Sequence, residues 1–183
     1  MKTFDEVYET LPGTGWLSRD EAELLYRIAS ETTGQILEVG CYHGRSTCLL
    51  GAFGRPMLAF DKFAGFSDED PSGDKTLAAF LDNLKTRDLY NVVLVKVDFA
   101  NWQVPAQSWY FGPVGLAYLD GDHSYSGTII QIEKAIQAGA EVIAIHDVND
   151  SGGGAMVKDA AISMLGCWDE RVDRLAVWKR NKK

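Results

Sequence analysis

Cysteine is scarce in this chain and follows no pattern. Cys41, Cys48 and Cys167 are odd in number and none shares C-x-x-C spacing with another, which speaks against a disulfide framework or zinc knuckle and fits a reducing cytoplasm. Positive charge is also in short supply. Lys and Arg total 18 against 26 Asp and Glu, a net charge of -8, so a nucleic-acid backbone is not the expected partner. The basic C-terminal "WKRNKK" is short and reads as a solvated tail. No apolar run approaches the length of a membrane span. The opening "MKTFDEVYETLPGTGW" lacks both the apolar core and the small-residue cleavage site of a secretory signal. Repeats, low-complexity tracts and linkers are missing too. The expectation is one domain over 1–183, with a helical cap over 1–34 and a core over 35–183, cytoplasmic and acting on a small molecule.

What the chain does have is alternation. "QILEVG", "MLAFD", "NVVLVKVD", "VGLAYLD" and "EVIAIHD" are short apolar runs, each ending at or next to glycine or an acid. Between them lie segments with helical spacing: "GRSTCLLGAF", "KTLAAFLDNLKTR" and "SYSGTIIQIEKAIQAG", with "GGAMVKDAAISML" after the last. One helix, "SRDEAELLYRIASETTG", is expected before the first strand, with Ser18 as N-cap and Glu21 three residues on. "WDERVDRLAVWKR" reads as a terminal hairpin. This order predicts a Rossmann-like, doubly wound α/β fold: a mostly parallel sheet, helices on both faces and a C-terminal antiparallel hairpin. In such sheets ligands bind beyond the carboxyl ends of the strands. Asp61, Asp98, Asp120 and Asp147 all end strands there.

The stretch "ILEVGCYHGRST" places Glu38, Gly40 and Gly44 between a strand and a helix. It is not the dinucleotide fingerprint. Tyr42 stands where that motif needs its second glycine, and Gly44 follows Gly40 by four residues rather than five. Glu38 would repel a pyrophosphate but suits a ligand bearing an ammonium group. Asp61, about twenty residues after the turn, is placed to accept both hydroxyls of a ribose.

These residues resemble the acidic-x-Gly-x-x-x-Gly loop of class I S-adenosylmethionine-dependent methyltransferases. "YLDGDHSYSG", "IAIHDV" and "GGAMVKDA" resemble a subfamily that includes macrolide and aminocoumarin sugar O-methyltransferases and a cephalosporin-pathway enzyme. The resemblance runs from Trp16 to Lys179. It implies S-adenosyl-L-methionine as cofactor, held by Glu38, Gly40, Tyr42, Gly44, Ser46, Asp61, Asp98 and Asp120. Asp98 would lie by the adenine, where Phe99 or Trp102 could stack or simply join the core. The implied reaction is O-methylation of a small molecule, in a protein able to form a homodimer.

The same resemblance implies a divalent cation such as Mg²⁺ on Asp120 and Asp147, able to bind adjacent substrate hydroxyls. Asp122 matches the proposed general base of the sugar enzymes. This chain departs from them at His146, where metal-dependent relatives carry a second acid. Either the ion differs, its ligation is weaker, or no metal is used and His146 or His123 is the base. Two other functions stay open: a non-catalytic S-adenosylmethionine-binding protein, and an NAD-dependent Rossmann oxidoreductase. A calcium loop over "SDEDPSGDK" fails, because Ala79 occupies the place of the bidentate glutamate; the stretch reads as an exposed acidic loop or as a lid above the cofactor.

Overall fold

The computed structural model describes residues 2–64, 70–103 and 112–180. Seven strands form one sheet: β1 (Gln35–Val39), β2 (Met57–Asp61), β3 (Val92–Lys96), β4 (Val114–Leu119), β5 (Val142–Ile145), β6 (Glu170–Val172) and β7 (Leu175–Lys179). Their order is β3-β2-β1-β4-β5-β7-β6. The first five pair in parallel, while β7 runs antiparallel to β5 and forms a hairpin with β6. The expected fold and terminal hairpin are both present.

Among the described residues six α-helices accompany the sheet: α1 (Phe4–Tyr8), α2 (Arg19–Glu31), α3 (Arg45–Gly51), α4 (Asp74–Thr86), α5 (Tyr125–Gln137) and α6 (Gly152–Leu165). The one-helix expectation for the N-terminus needs correction, because α1 precedes α2. It is a five-residue helix closed by a Thr3–Glu6 capping box, too short to show apolar periodicity. None of the described helices is long and apolar enough to cross a membrane.

The apolar runs are continuous because the central strands are covered on both faces. Alternate side chains serve different layers. Ile36, Met57, Leu116, Tyr118 and Ala144 pack with Leu25 and Ile28 of α2 and Leu49 and Leu50 of α3. Leu37, Leu119, Ile143 and Ile145 face the other way, onto Ile132 and Ala135 of α5 and Val157 and Ala161 of α6. A one-residue slip in any central strand would exchange these two sets. The strand order reverses between β1 and β4, and their carboxyl ends abut there: the Asp120 N–H donates to the Val39 carbonyl at 2.8 Å.

Candidate active site

At this reversal point the β1 turn can be made only by glycine. Gly40 has φ +86°, and a Cβ on it would lie 2.1 Å from the Asp120 carbonyl oxygen. The turn continues through Tyr42 at φ +47° and ends on Gly44, the left-handed N-cap of α3. Asp61, at the end of β2, holds the loop from the side. Its Oδ2 accepts from the N–H groups of Cys41 and Tyr42 at 2.8 and 3.0 Å, and its Oδ1 accepts from Phe63 N–H at 2.8 Å.

Glu38 lies beneath this loop, fully buried. Ser46 Oγ and Thr47 Oγ1 donate to its two oxygens at 2.5 and 2.6 Å, so its influence on a ligand runs through the loop. Burial raises its pKa to about 7 against those two donors, with the charges of Asp120 and Asp61 adding to the rise. A carboxyl whose folded pKa lies above its unfolded value of 4.5 stabilises the fold most below pH 4.5. That contribution fades as pH rises through 7, by on the order of 3 kcal/mol. Glu38→Gln keeps a polar partner for both hydroxyls, which can rotate to accept. The variant is expected to melt at higher temperature than wild type at pH 8 and to lose this advantage near pH 4. A lower melting point at pH 8 would refute the assignment.

The β4 and β5 ends carry the second cluster. Asp120 Oδ1 lies 3.3 Å from His123 Nε2 and 3.3 Å from His146 Nδ1, and the Tyr118 hydroxyl donates to Oδ2 at 3.3 Å. Asp147, at φ +57°, stands 3.5 Å from His123 Nδ1 and accepts from the Arg174 guanidinium at 2.8 Å. His146 is buried beneath, its Nε2 3.4 Å from Glu21 of α2. Burial alone would depress the His146 pKa, but the Asp120 charge and hydrogen bond, then Glu21, raise it to about 10. Burial would likewise raise Asp120, yet His146 and His123 hold it down at about 2. His123 is raised, chiefly by its bond to Asp120 and against its own burial.

Both clusters open onto one cavity of about 690 Å³, a size suited to a small molecule. Asp61, Asp98, Asp120, Asp122 and Asp147 line it, against Lys62, Arg174, His123 and His146. Carboxylates thus outnumber the permanent cations, which disfavours a pyrophosphate and favours a ligand with cationic groups. Three residues with positive φ, Tyr42, Phe63 and Asp147, line the same space. Non-glycine residues in that region are concentrated at functional sites.

Most of the residues singled out in the sequence come together here. Gly40, Tyr42, Asp61, Asp98, Asp120, Asp122, His123, His146 and Asp147 line the cavity, whereas Glu38, Gly44 and Ser46 support it from behind. Asp98 caps a 3-10 turn by accepting from Ala100 N–H at 3.0 Å. Of the two aromatic candidates, Phe99 reaches the cavity while Trp102 stacks against Phe99 and packs on the core. Asp122 accepts from Ser124 N–H at 2.8 Å, tying down the turn before α5. In the proposed acidic lid, Asp70 accepts from the Thr76 backbone and hydroxyl, while Ser67 to Glu69 lie outside the described residues. Glu21, Thr47 and Arg174 escaped sequence reading. Glu21 looked fully explained by its cap, and nothing local marks an arginine in a hairpin turn.

The sequence of residues 37–148 matches the family described as "Methyltransferase domain". The chain belongs to this methyltransferase family. Membership displaces the oxidoreductase reading. Solved structures share the methyltransferase's fold at low identity. CalS11, described as the TDP-rhamnose 3'-O-methyltransferase of calicheamicin biosynthesis, is 16% identical with a TM-score of 0.66, over 98% of this chain and 92% of that one. The O-methyltransferase TomG from Streptomyces achromogenes, solved with S-adenosylmethionine, is 12% identical with a TM-score of 0.65, over 97% and 89%. An O-methyltransferase from Bacillus cereus, solved with S-adenosylhomocysteine, is 14% identical with a TM-score of 0.64, over 96% and 90%. No curated protein sequence matches the chain significantly.

Proposed function

We propose that this methyltransferase uses S-adenosylmethionine to methylate a hydroxyl of a small molecule, with His123 as the general base. The observation that carries the reading is the position of His123, half-exposed in the cavity between Asp120 and Asp147. CalS11, TomG and the Bacillus cereus enzyme are O-methyltransferases, the last two solved with S-adenosylmethionine and S-adenosylhomocysteine, which supports oxygen as acceptor and this cofactor.

The cavity suits the cofactor. It is phosphate-free and carries a sulfonium and an ammonium, matching a lining rich in carboxylates. Asp61 and the Gly40–Tyr42 backbone would hold it, with Asp98 and Phe99 beyond. When bound it supplies an activated methyl group. His123 directs Nε2 at Asp120, which fixes the ring, and its Nδ1, 3.5 Å from Asp147, is the nitrogen that would take the acceptor's proton. Asp120 and Asp147 then stabilise the imidazolium. The bound cofactor would supply its methyl to the acceptor oxygen, and His123 would hold the proton that this oxygen gives up. Asp122 is the weaker base, since its Oδ1 is engaged with the Ser124 N–H.

Asp120, His146 and Asp147 place donor atoms within 4.8 Å of one another, so an ion was tested against them. The set fits Mg²⁺ poorly. One donor is an imidazole nitrogen where a hard ion wants oxygen. His146 and Arg174 already compensate the two carboxylates at 3.3 and 2.8 Å. The proposed reaction therefore uses no metal. Formation of S-adenosylhomocysteine with a panel of sugars and catechols is the test, run with Mg²⁺ and with EDTA. Turnover that EDTA leaves unchanged is expected. No turnover with any acceptor, despite cofactor binding, would favour the non-catalytic reading, and loss with EDTA would restore the metal.

A further inference from the structure

Glu21 has no part in the reaction as described, yet its setting is costly. Two capping boxes of the same kind lie among the described residues. In α1, Glu6 caps Thr3 from the exposed surface. In α2, Glu21 caps Ser18 at 2.9 Å while only 1% exposed. Capping therefore does not require burial. An ionised carboxylate withdrawn from water must be paired or it is strongly unfavourable. Its partners lie on the active-site side. Oε1 accepts from the Arg174 N–H at 3.0 Å, and Oε2 lies 3.4 Å from His146 Nε2. That nitrogen is fully enclosed and makes no aligned hydrogen bond, so its contact with Glu21 is one of charge.

The consequence is a line of groups running from helix to cavity. His146 faces Glu21 from α2 on one edge; on the other it faces Asp120 at 3.3 Å and Asp147 at 3.8 Å. Asp120 in turn bonds His123. The imidazole is held by a hydrogen bond to Asp120 on one edge and by the charge of Glu21 on the other. Its Nδ1 then fixes the Asp120 oxygen on which His123 rests. Leu25 and Ile28 of α2 pack with Val142 and Ala144 of β5, which brings Glu21 beside the end of that strand.

We propose that Glu21 is a positioning residue for methyl transfer, acting through His146 to hold Asp120 where it orients His123. The inference rests on the reading of His123 as the base. Two variants test it. Glu21→Gln keeps the side-chain length, and glutamine serves in a capping box. Glu21→Asp keeps the charge but withdraws it from His146 by one methylene. Each is measured alone and combined with His146→Asn, with S-adenosylmethionine and whichever sugar or catechol of the panel is turned over. Both single variants are expected to lower kcat roughly ten- to a hundredfold, with KM for S-adenosylmethionine within about twofold of wild type. In the His146→Asn background the same changes are expected to cost little further, the mark of groups acting as a unit. Wild-type kcat in the Glu21 variants, a lower melting temperature as their sole effect, or an equal loss in both backgrounds would each overturn the role of Glu21 while leaving His123 as base. Retained turnover in His123→Gln would instead remove the reading on which the role depends.

Discussion

His123→Gln is expected to lower turnover about 10²- to 10⁴-fold, the usual contribution of a positioned general base, while calorimetry finds S-adenosylmethionine bound as in wild type. The separation follows from the layout. The Gly40 turn and Asp61 form one wall of the cavity, and His123 belongs to the other, between Asp120 and Asp147. Glutamine can still bond Asp120 but cannot accept a proton at neutral pH. The pH profile gives an independent reading. The bond to Asp120 raises the His123 pKa above its ordinary value of 6.5, against the effect of burial. A base acts when deprotonated, so kcat should rise with pH through that elevated value, and this limb should vanish in His123→Gln. A variant with wild-type kcat would remove His123 from the mechanism, leaving Asp122 as the next candidate.

Asp120→Asn is expected to cost about 3 kcal/mol of stability as well as most of the activity. Removing one member of a buried ion pair strands the other, a loss of roughly 3–5 kcal/mol. The lower figure applies because the Asp120 side chain retains 25% exposure, whereas His146 retains 2%. The sign of the pH dependence can be worked out. His146 is raised from 6.5 to about 10, so its contribution is complete below pH 6.5 and is lost as pH rises through 10. Asp120 and Glu21 are both lowered to about 2 from 3.8 and 4.5. Their contributions are complete above pH 4.5 and are lost as pH falls through 2. The cluster therefore stabilises the fold most between pH 4.5 and 6.5. Thermal melts of wild type should decline on both sides of this window, and Asp120→Asn should flatten the alkaline decline. An unchanged alkaline slope would mean that Asp120 and His146 are not coupled.

These expectations draw unequally on sequence and structure. The alternation of apolar runs with helical segments was enough for the parallel sheet and its hairpin, because fully buried strands and amphipathic helices leave different periodicities. The glycine turn was also legible. A strand running into Gly40, with Gly44 four residues later, leaves few backbone solutions. Asp61, Asp120 and Asp147 could be named because each lies at or within two residues of a strand end, and strand ends in such folds share one edge. The short α1 was missed, since five residues carry no period.

What the chain order could not supply was which partner each charged group faces. Glu21 lies 125 positions before His146 in the numbering, and its capping role gave a complete local explanation. Arg174 meets Asp147 only because β7 doubles back antiparallel beside β5. Glu38 looked like a ligand-facing acid until the packing of α3 put Ser46 and Thr47 on its oxygens. Periodicity and turn chemistry act over a few residues, so the sequence by itself determined the elements, their order and the edge where a ligand binds. Charge pairing and burial depend on three-dimensional neighbours, so only the tertiary structure decided which carboxylates are compensated, which histidine stands half-exposed in the cavity and which acid stands behind it.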